Sequence, residues 1–188
     1  MWWDTKSIDD DWFFRTKSWY DRKEQGLVEG QPVSFHYWAI DNGKFIGEFQ
    51  LRTEFPEKVM LDIGSIGYAV RVSEQGKGYG KEILRLGLEL AKQHGMEKVL
   101  LTINDENTAS IHVCEALGGV WKDTIDACNE AEGQHLLRRY WITLWLSIPI
   151  CRIDCKFSIY EHLKEQSHSA PLFIASIISA IIIKVSEV

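Results

Sequence analysis

The chain has 188 residues, the size of one ordinary domain, and 45% of them are hydrophobic against 26% charged, which is a globular composition. Its net charge of −6 argues against a general nucleic-acid binder, which would present a basic surface to phosphates, but it leaves room for a local basic pocket. The first residues, MWWDTKSIDDD, contain no apolar signal segment, so we expect a cytoplasmic protein.

The first part of the chain predicts a helix and then a hairpin. A rough helical pattern with aromatic anchors covers residues 8–25. Two β-rich runs, 33–40 and 44–52, flank the Asn42-Gly43 pair, and Asn-Gly between such runs is a strong hairpin signal. Side chains alternate along a strand, so one face of the second strand combines three polar residues, Glu48, Gln50 and Arg52.

The rest of the chain alternates strands with two helices. A loop is predicted over 53–64 and a strand over 65–72. An amphipathic helix then runs to Gly95, and a continuous apolar strand of the kind found in a covered sheet covers 98–103. A second helix over about 107–117 precedes two final strands, 120–127 and 134–146. This order predicts an α+β or α/β fold, a mixed sheet with helices packed on it.

Four cysteines are spread through the second half of the chain: Cys114, Cys128, Cys151 and Cys155. No CxxC pair occurs, and no nearby histidine completes a zinc set. We therefore expect unpaired thiols and no metal site.

The stretch QGKGYGK, residues 75–81, which we call the glycine loop, lies between a predicted strand and a predicted helix. Gly76, Gly78 and Gly80 would let the main chain approach a phosphate at the helix N-terminus, and Lys77 and Lys81 add positive charge. A plain tight turn is the simpler alternative. The loop lacks the P-loop pattern, and its GxGxG spacing falls one residue short of the dinucleotide fingerprint, which remains a minor alternative.

The spacing Gln75-x-x-Gly78-x-Gly80 resembles the acyl-CoA pyrophosphate loop of the GNAT N-acetyltransferases. Further along, NDENTASIHVCEALGG resembles the family's N-x-x-S/A helix, which ends in a glycine, and RRYWITL resembles its closing strand. IGYAVRVSEQGKGYG is similar to a bacterial subgroup of predicted acetyltransferases. The resemblance covers about residues 33–145.

The resemblance implies a three-layer GNAT-like fold with a mixed, mostly antiparallel sheet, helices on both faces and one splayed parallel strand pair. Acetyl-CoA would be the cosubstrate, with its pantetheine arm lying between the parted strands. The cofactor-binding residues that it implies are Val70, Val72, Gln75, Gly76, Lys77, Gly78, Tyr79, Gly80, Lys81, Asn107 and Ser110. Asn107 could instead serve only as a helix N-cap, and Ser110 only as a small helix residue.

The implied reaction is attack of an amine on the acetyl-CoA thioester. A lysine-like amine has a pKa of about 10.4, so a base or a pocket that lowers this pKa must supply the neutral nucleophile. We assign Asn107, Cys114 and Glu48 to the catalytic set and Arg52 and Tyr68 to substrate binding. Cys114 stands where many family members have a tyrosine that acts as the general acid. A buried structural thiol is its alternative role.

For Glu48, Gln50 and Arg52, a solvated strand face is the alternative interpretation. Arg52 matches a position of the subgroup at which it would bind an acidic part of the acceptor. Where the subgroup often has a histidine ahead of Ile-Gly-Tyr, this chain has Ser65, which weakens the assignment of a base there.

The two ends depart from the family pattern. We expect one acetyltransferase domain over 1–146, in which the family's first strand is missing or degenerate, and an atypical apolar extension over 147–188. The apolar run 172–183 is shorter than the roughly 20 residues of a membrane span. A strand or helix that covers the domain, a contact between two copies of the chain, and a tail read in an altered frame are its other interpretations.

The sequence therefore predicts an acetyl-CoA-dependent N-acetyltransferase whose acceptor is a small-molecule amine or a peptide amine, with no nucleic-acid partner. A catalytically weak acyl-CoA-binding or regulatory protein is the alternative. The sequence leaves the acceptor open among small amines, aminoglycosides, polyamines, amino acids and protein N-termini.

Overall fold

The computed structural model describes residues 10–54, 57–129, 133–144 and 181–184. The first four elements are helix α1 (Asp10–Glu24), strands β1 (Val33–Asp41) and β2 (Lys44–Glu54), and helix α2 (Glu57–Ile63). Strand β3 (Ile66–Val70) and a 3₁₀ turn (Val72–Glu74) lead to helix α3 (Tyr79–Gln93) and strand β4 (Lys98–Asn104). The chain continues with helix α4 (Thr108–Ala116) and strands β5 (Val120–Asn129), β6 (Gly133–Thr143) and β7 (Ile181–Lys184).

The predicted hairpin is present as β1 and β2. Asn42 and Gly43 both have positive φ, 48° and 75°, which is the turn geometry that matches the twist of a two-residue hairpin. Pairing passes from Ala39↔Gly47 to Ile40↔Phe45, so Ile46 is an extra, bulged residue. Regular alternation would place Ile46 on the same face as the polar side chains of β2, and the bulge allows it to be buried instead.

The strands form two sheets, ordered β3-β2-β1-β7 and β4-β6-β5, and every described ladder is antiparallel. Helix α3 connects β3 to β4, as expected for a crossover between strands that run in the same direction. These two strands meet at one point, where the Ser65 amide donates to the Leu100 carbonyl at 2.7 Å and the Leu100 amide donates to Ser65 Oγ at 3.2 Å. No ladder joins them elsewhere in the described residues. The expected splayed pair is therefore present, and we call the space between β3 and β4 the gap.

Helix α3 packs its apolar face on the first sheet, where Ile83 and Leu84 are buried. Gly87 faces the ring of Phe49 so closely that a Cβ there would lie 2.0 Å from a ring carbon. The helix needs glycine at this position, and the contact fixes the helix, and with it the glycine loop, relative to β2.

Two predicted elements differ from the structure, whereas one interpretation of the tail agrees with it. The loop over 53–64 contains α2, whose seven residues are too few to show a helical period in the sequence. The strand over 65–72 ends at Val70, and Val72 lies in the 3₁₀ turn. At the other end of the chain, β7 pairs antiparallel with β1, which agrees with a covering strand for those four residues. The N-terminal residues 1–9, where we expect the family's first strand to be missing or degenerate, and the remainder of the tail lie outside the described residues. No helix of the described ranges is long and apolar enough to cross a membrane.

Candidate functional site

The glycine loop exposes main chain at the start of α3. Gly78 is the N-cap of the helix, with φ of +87°, and Gly76 has φ of +75°. Side chains are strained in this left-handed region, so glycine suits both positions. A Cβ built on either residue would meet no atom within 4 Å. The backbone therefore faces open space here.

The amides of this segment are available to a ligand. The Lys81 and Glu82 amides donate to the Gly78 carbonyl at 3.1 and 3.3 Å, whereas the amides of residues 76–80 have no acceptor within the described part of the chain. Unpaired N–H groups at a helix N-terminus, together with the positive end of the helix dipole, form an anion site.

The two lysines of the loop differ in their surroundings. Lys77 is paired, because its Nζ lies 3.0 Å from Glu74, which also binds Lys44 at 2.5 Å and Ser73 at 3.1 Å. Hydrogen bonds from Lys44 and Lys77 lower the pKa of Glu74 to about 2. The expected free charge of Lys77 is thus partly neutralised, while Lys81 is exposed and has no ion pair among the residues described.

Two side chains of the glycine loop hold it in place. Gln75 Nε2 donates to the Val70 carbonyl at 3.2 Å, and Tyr79 Oη donates to Asp41 at 2.6 Å. Gln75 therefore links the loop back to the end of β3, and Tyr79 can offer a ligand its amide rather than its hydroxyl. Val72 is 82% exposed beside them.

On the α4 side, Asn107 is the N-cap and its Oδ1 accepts from the Ser110 amide at 3.1 Å. The capping role that we considered for Asn107 is present, and its side-chain NH₂ group remains as a donor. Ser110 Oγ lies 2.9 Å from Tyr68 Oη, so α4 and β3 are bridged by two hydroxyls. Gly80 packs against this region, because a Cβ added to it would lie 3.7 Å from the ring of Tyr68.

Cys114 is fully buried on α4. A Cβ on Gly119 would lie 2.4 Å from its Sγ, so the chain folds tightly over the sulfur. Burial, with a smaller effect of the Glu115 charge, raises the pKa of the thiol to about 12. An acid this weak does not protonate a coenzyme A thiolate of pKa near 8.5 efficiently. These facts favour the structural role for Cys114 over the catalytic one.

A cavity of about 770 Å³, which we call the α1 cavity, lies between α1 and the polar face of β2 and reaches β3 at Tyr68. Glu48, Gln50 and Arg52 line it and are half-buried, so they do not form a solvated strand face. Arg52 Nη2 donates to Gln50 Oε1 at 2.6 Å, and Gln50 Nε2 lies 3.2 Å from His36 Nε2. Because the guanidinium fixes the orientation of the Gln50 amide, its NH₂ group must donate to His36. His36 Nε2 is therefore an acceptor, and the ring is neutral.

Burial shifts the pKa values of several ionisable groups in the α1 cavity. Burial raises the pKa of the Glu48 carboxyl and, with a smaller contribution from Glu48, raises the pKa of Tyr20 to about 12. Burial, followed by the charges of Lys23 and Arg52, lowers the pKa of His36 to about 3. Burial lowers the pKa of Arg52 to about 10, and burial and Arg52 together lower the pKa of Lys23.

Sequence reasoning did not assign a site role to Tyr20, Lys23 or His36, although all three line this cavity. Tyr20 stacks on the His36 ring with centroids 3.9 Å apart. His36 could have been found, because the hairpin register places it directly opposite Gln50. Nothing in the sequence reveals that α1 covers this face, because its hydrophobic pattern is weak.

An α+β domain with two parted sheets and a bare-amide anion site at a helix N-terminus has the layout expected of an acetyltransferase. The chain belongs to the GNAT family: the Acetyltransferase (GNAT) domain matches residues 2–120. A mycothiol acetyltransferase of Rhodococcus erythropolis is 25% identical over 100 residues, 52% of this chain and 33% of that protein. The chain thus spans about a third of the length of this relative.

Solved structures share the fold. The ribosomal L7/L12 alpha-N-protein acetyltransferase RimL, in complex with coenzyme A, superposes with a TM-score of 0.59 at 14% identity, over 77% of this chain and 78% of RimL. The putative acetyltransferase yncA of Salmonella typhimurium, with acetyl-CoA, gives a TM-score of 0.54 at 19% identity, over 78% and 80% of the two chains. The predicted family and the predicted fold class are therefore confirmed.

Proposed function

We propose that this protein is an acetyl-CoA-dependent N-acetyltransferase that transfers an acetyl group to a primary amine. The observation that supports it most directly is the set of unpartnered amides in residues 76–80, which lies at the end of β3 where the gap opens. Coenzyme A combines a diphosphate with a long amide-bearing arm, which matches an anion site next to an unpaired strand.

In this proposal the loop amides bind the pyrophosphate, and Lys81 adds an exposed cation that has no ion pair among the described residues. The pantetheine arm lies in the gap and pairs with main chain near Val70 and Val72, and Asn107 and Ser110 contact it from α4. The Val70 carbonyl already accepts from Gln75, so the arm competes with that side chain or uses the neighbouring amides.

In the proposed reaction, the thioester of acetyl-CoA in the gap meets the amine in the α1 cavity. The nitrogen lone pair of the neutral amine attacks the thioester carbonyl carbon, the C–N bond forms and the C–S bond breaks. The proton lost by the nitrogen passes to Glu48, whose raised pKa brings it closer to that of an amine and makes it a better base than an exposed carboxylate. The leaving thiolate of coenzyme A takes up a proton.

Tyr68 contacts both compartments, because it lines the α1 cavity and bonds Ser110 at the gap. Burial raises the pKa of its hydroxyl, so the group stays protonated at neutral pH and can donate to the thioester oxygen or to the departing sulfur. Tyr68 is the proposed donor in place of Cys114.

Thiol release from acetyl-CoA, followed with a thiol reagent over a panel of amines, tests the proposal. The panel holds monoamines, diamines, amino acids and peptides with free N-termini, and a reaction without acceptor corrects for hydrolysis. We expect at least one class to give acceptor-dependent release together with the N-acetyl product in the mass spectrum. The assignment would be contradicted if no acceptor raised the rate of thiol release above that of the reaction without acceptor.

A catalytically weak acyl-CoA-binding protein is the second candidate, and the buried position of Cys114 where relatives have an acidic tyrosine favours it. Calorimetric titration with acetyl-CoA separates the two. Binding without turnover on the whole panel supports the second candidate, whereas binding with turnover supports the first.

A further inference from the structure

The α1 cavity separates its charges. In the part of the chain that the structure describes, the Glu48 carboxylate has neither a hydrogen-bond donor nor a cation partner. Among the described residues, Asp21 Oδ1 is a side-chain oxygen that is fully buried without a hydrogen-bond partner, and neither oxygen of Glu48 is in that condition. Since they are unpartnered and not sealed, they are accessible from the cavity.

Arg52 and Lys23 place positive charge further along β2, and a third lining cation, Arg15, is exposed and has an interaction of its own. Arg52 uses three hydrogen bonds, to Gln50 Oε1 and to the carbonyls of Ile63 and Gly64, and all three acceptors are neutral. A guanidinium has five N–H donors, so some remain for a ligand. Lys23 lies near enough for the Arg52 charge to lower its pKa, and no carboxylate of the described residues pairs with it.

The two poles are separated by a distance that a small ligand can span. Glu48 and Arg52 are four residues apart on one face of β2, which is about 13 Å between Cα atoms at the usual rise of a strand. The Arg52 side chain turns back along the strand, because its Nη2 lies 3.3 Å from the Cβ position of Gly67, the residue opposite Gln50. The space between carboxylate and guanidinium is therefore shorter than the Cα spacing.

This arrangement is costly without a ligand. Burial removes hydration from Arg52, Lys23 and Glu48, and the neutral hydrogen-bond acceptors of Arg52 replace only part of it. Among the described residues, no anion pairs with the two cations and no cation pairs with the carboxylate. A ligand that carries the complementary charges restores both interactions, and the Arg52 fork is suited to a carboxylate.

We propose that the acceptor is a small amino-carboxylate, a molecule in which a primary amine meets Glu48 and a carboxylate meets Arg52 and Lys23. This inference rests on the proposed acetyl transfer, because it names the acceptor of that same site. A polyamine would place a second cation against Lys23 and Arg52, and a simple monoamine would leave both without an anion. The cavity volume of about 770 Å³ is in the range of small-molecule sites.

Matched acceptors test the inference. For each standard L-amino acid, we would measure kcat/KM with the free acid, with the carboxamide in which the carboxylate is neutralised, and with the decarboxylated amine. At least one free acid should exceed its two analogues by about tenfold or more, the value of one charged hydrogen bond. Equal or better use of the decarboxylated amines, or of a diamine, would overturn the inference while leaving acetyl transfer established.

Variants of the cavity lysine test where the carboxylate of the acceptor binds. Lys23→Gln should lower kcat/KM for the preferred free acid by about tenfold and leave its decarboxylated analogue unchanged. Lys17→Gln is the matched control, because Lys17 lies on the same helix, pairs with Asp21 and does not line the cavity. Arg52→Gln is less informative, because the guanidinium also holds the carbonyls at the end of α2. Equal losses for all three acceptors in Lys23→Gln would contradict the assignment.

Direct binding separates this inference from the proposed reaction. If no acceptor is acetylated, titration of the free amino acids into the unmodified protein still tests the charge pattern. Binding of a free acid that is weakened by Lys23→Gln and not by Lys17→Gln supports the ligand class even though acetyl transfer has failed. Absence of binding by every free acid overturns it.

Discussion

Gly78→Ala should weaken coenzyme A binding far more than it weakens the fold. The substitution adds one methyl group at the residue that starts α3, where the structure leaves at least 4 Å of open space around the new Cβ. No atom of the described protein has to move to accommodate it. In the proposed complex, the methyl group would instead occupy the space that a phosphate needs in order to reach the loop amides.

The stability cost follows from the backbone. A non-glycine residue at φ of +87° costs about 1–2 kcal/mol, which should appear as a lower urea midpoint. Gly95→Ala is the matched control, because Gly95 follows the other end of the same helix with φ of +76° and also has no atom within 4 Å of its Cβ position. The two variants should therefore lose similar free energy of unfolding.

The binding cost is specific to Gly78. A hydrogen bond to a charged group contributes about 1.5–3 kcal/mol, so the loss of each hydrogen bond to the phosphate reduces affinity by roughly 10-fold to 150-fold. Calorimetric titration with coenzyme A measures this in both variants. We expect a reduction in this range or larger in Gly78→Ala and an unchanged dissociation constant in Gly95→Ala. Unchanged affinity in Gly78→Ala, or equal reductions in both variants, would refute the placement of the pyrophosphate.

Substitutions at three further residues test neighbouring parts of the site. Asn107→Ala should lower the free energy of unfolding by about 1 kcal/mol through loss of the N-cap, and Asn107→Asp should restore it; no recovery in the aspartate variant would argue against capping. Cys114→Ala should keep kcat, and the thiol of the native protein should resist thiol reagents at pH 8 because its pKa is about 12; a large fall in kcat would return Cys114 to the catalytic set. The pKa of Glu74 falls from 4.5 to about 2 on folding, so its contribution to stability is complete above about pH 4.5 and is lost as the pH falls towards 2. Glu74→Gln should flatten the dependence of the urea midpoint on pH in this window, and a curve parallel to that of the unmodified protein would contradict the pairing with Lys44 and Lys77.

Local signals in the sequence predicted most of the elements. The Asn42-Gly43 turn, the apolar face of α3 and the glycines that end helices each depend on residues close together in the chain, and these elements are present with ends shifted by a few residues. Helix α2 was missed because a single short helix that follows Pro56 has too few residues to display a period. The pairing of β7 with β1 was one of several interpretations of the tail, because strand pairing across the whole chain leaves no local trace.

The sequence by itself determined the family and the glycine loop that we propose as the anion site. The proposed site uses backbone amides, and backbone exposure follows directly from where glycine and a helix start occur. Only the tertiary structure decided how the side chains act. It paired Lys77 with Glu74, buried Cys114 beneath Gly119, and covered the polar face of β2 with α1, so that Lys23 from a distant helix joined Arg52. Charges and pKa values depend on burial and on neighbours from other elements, and neither is encoded in the spacing of residues along the chain.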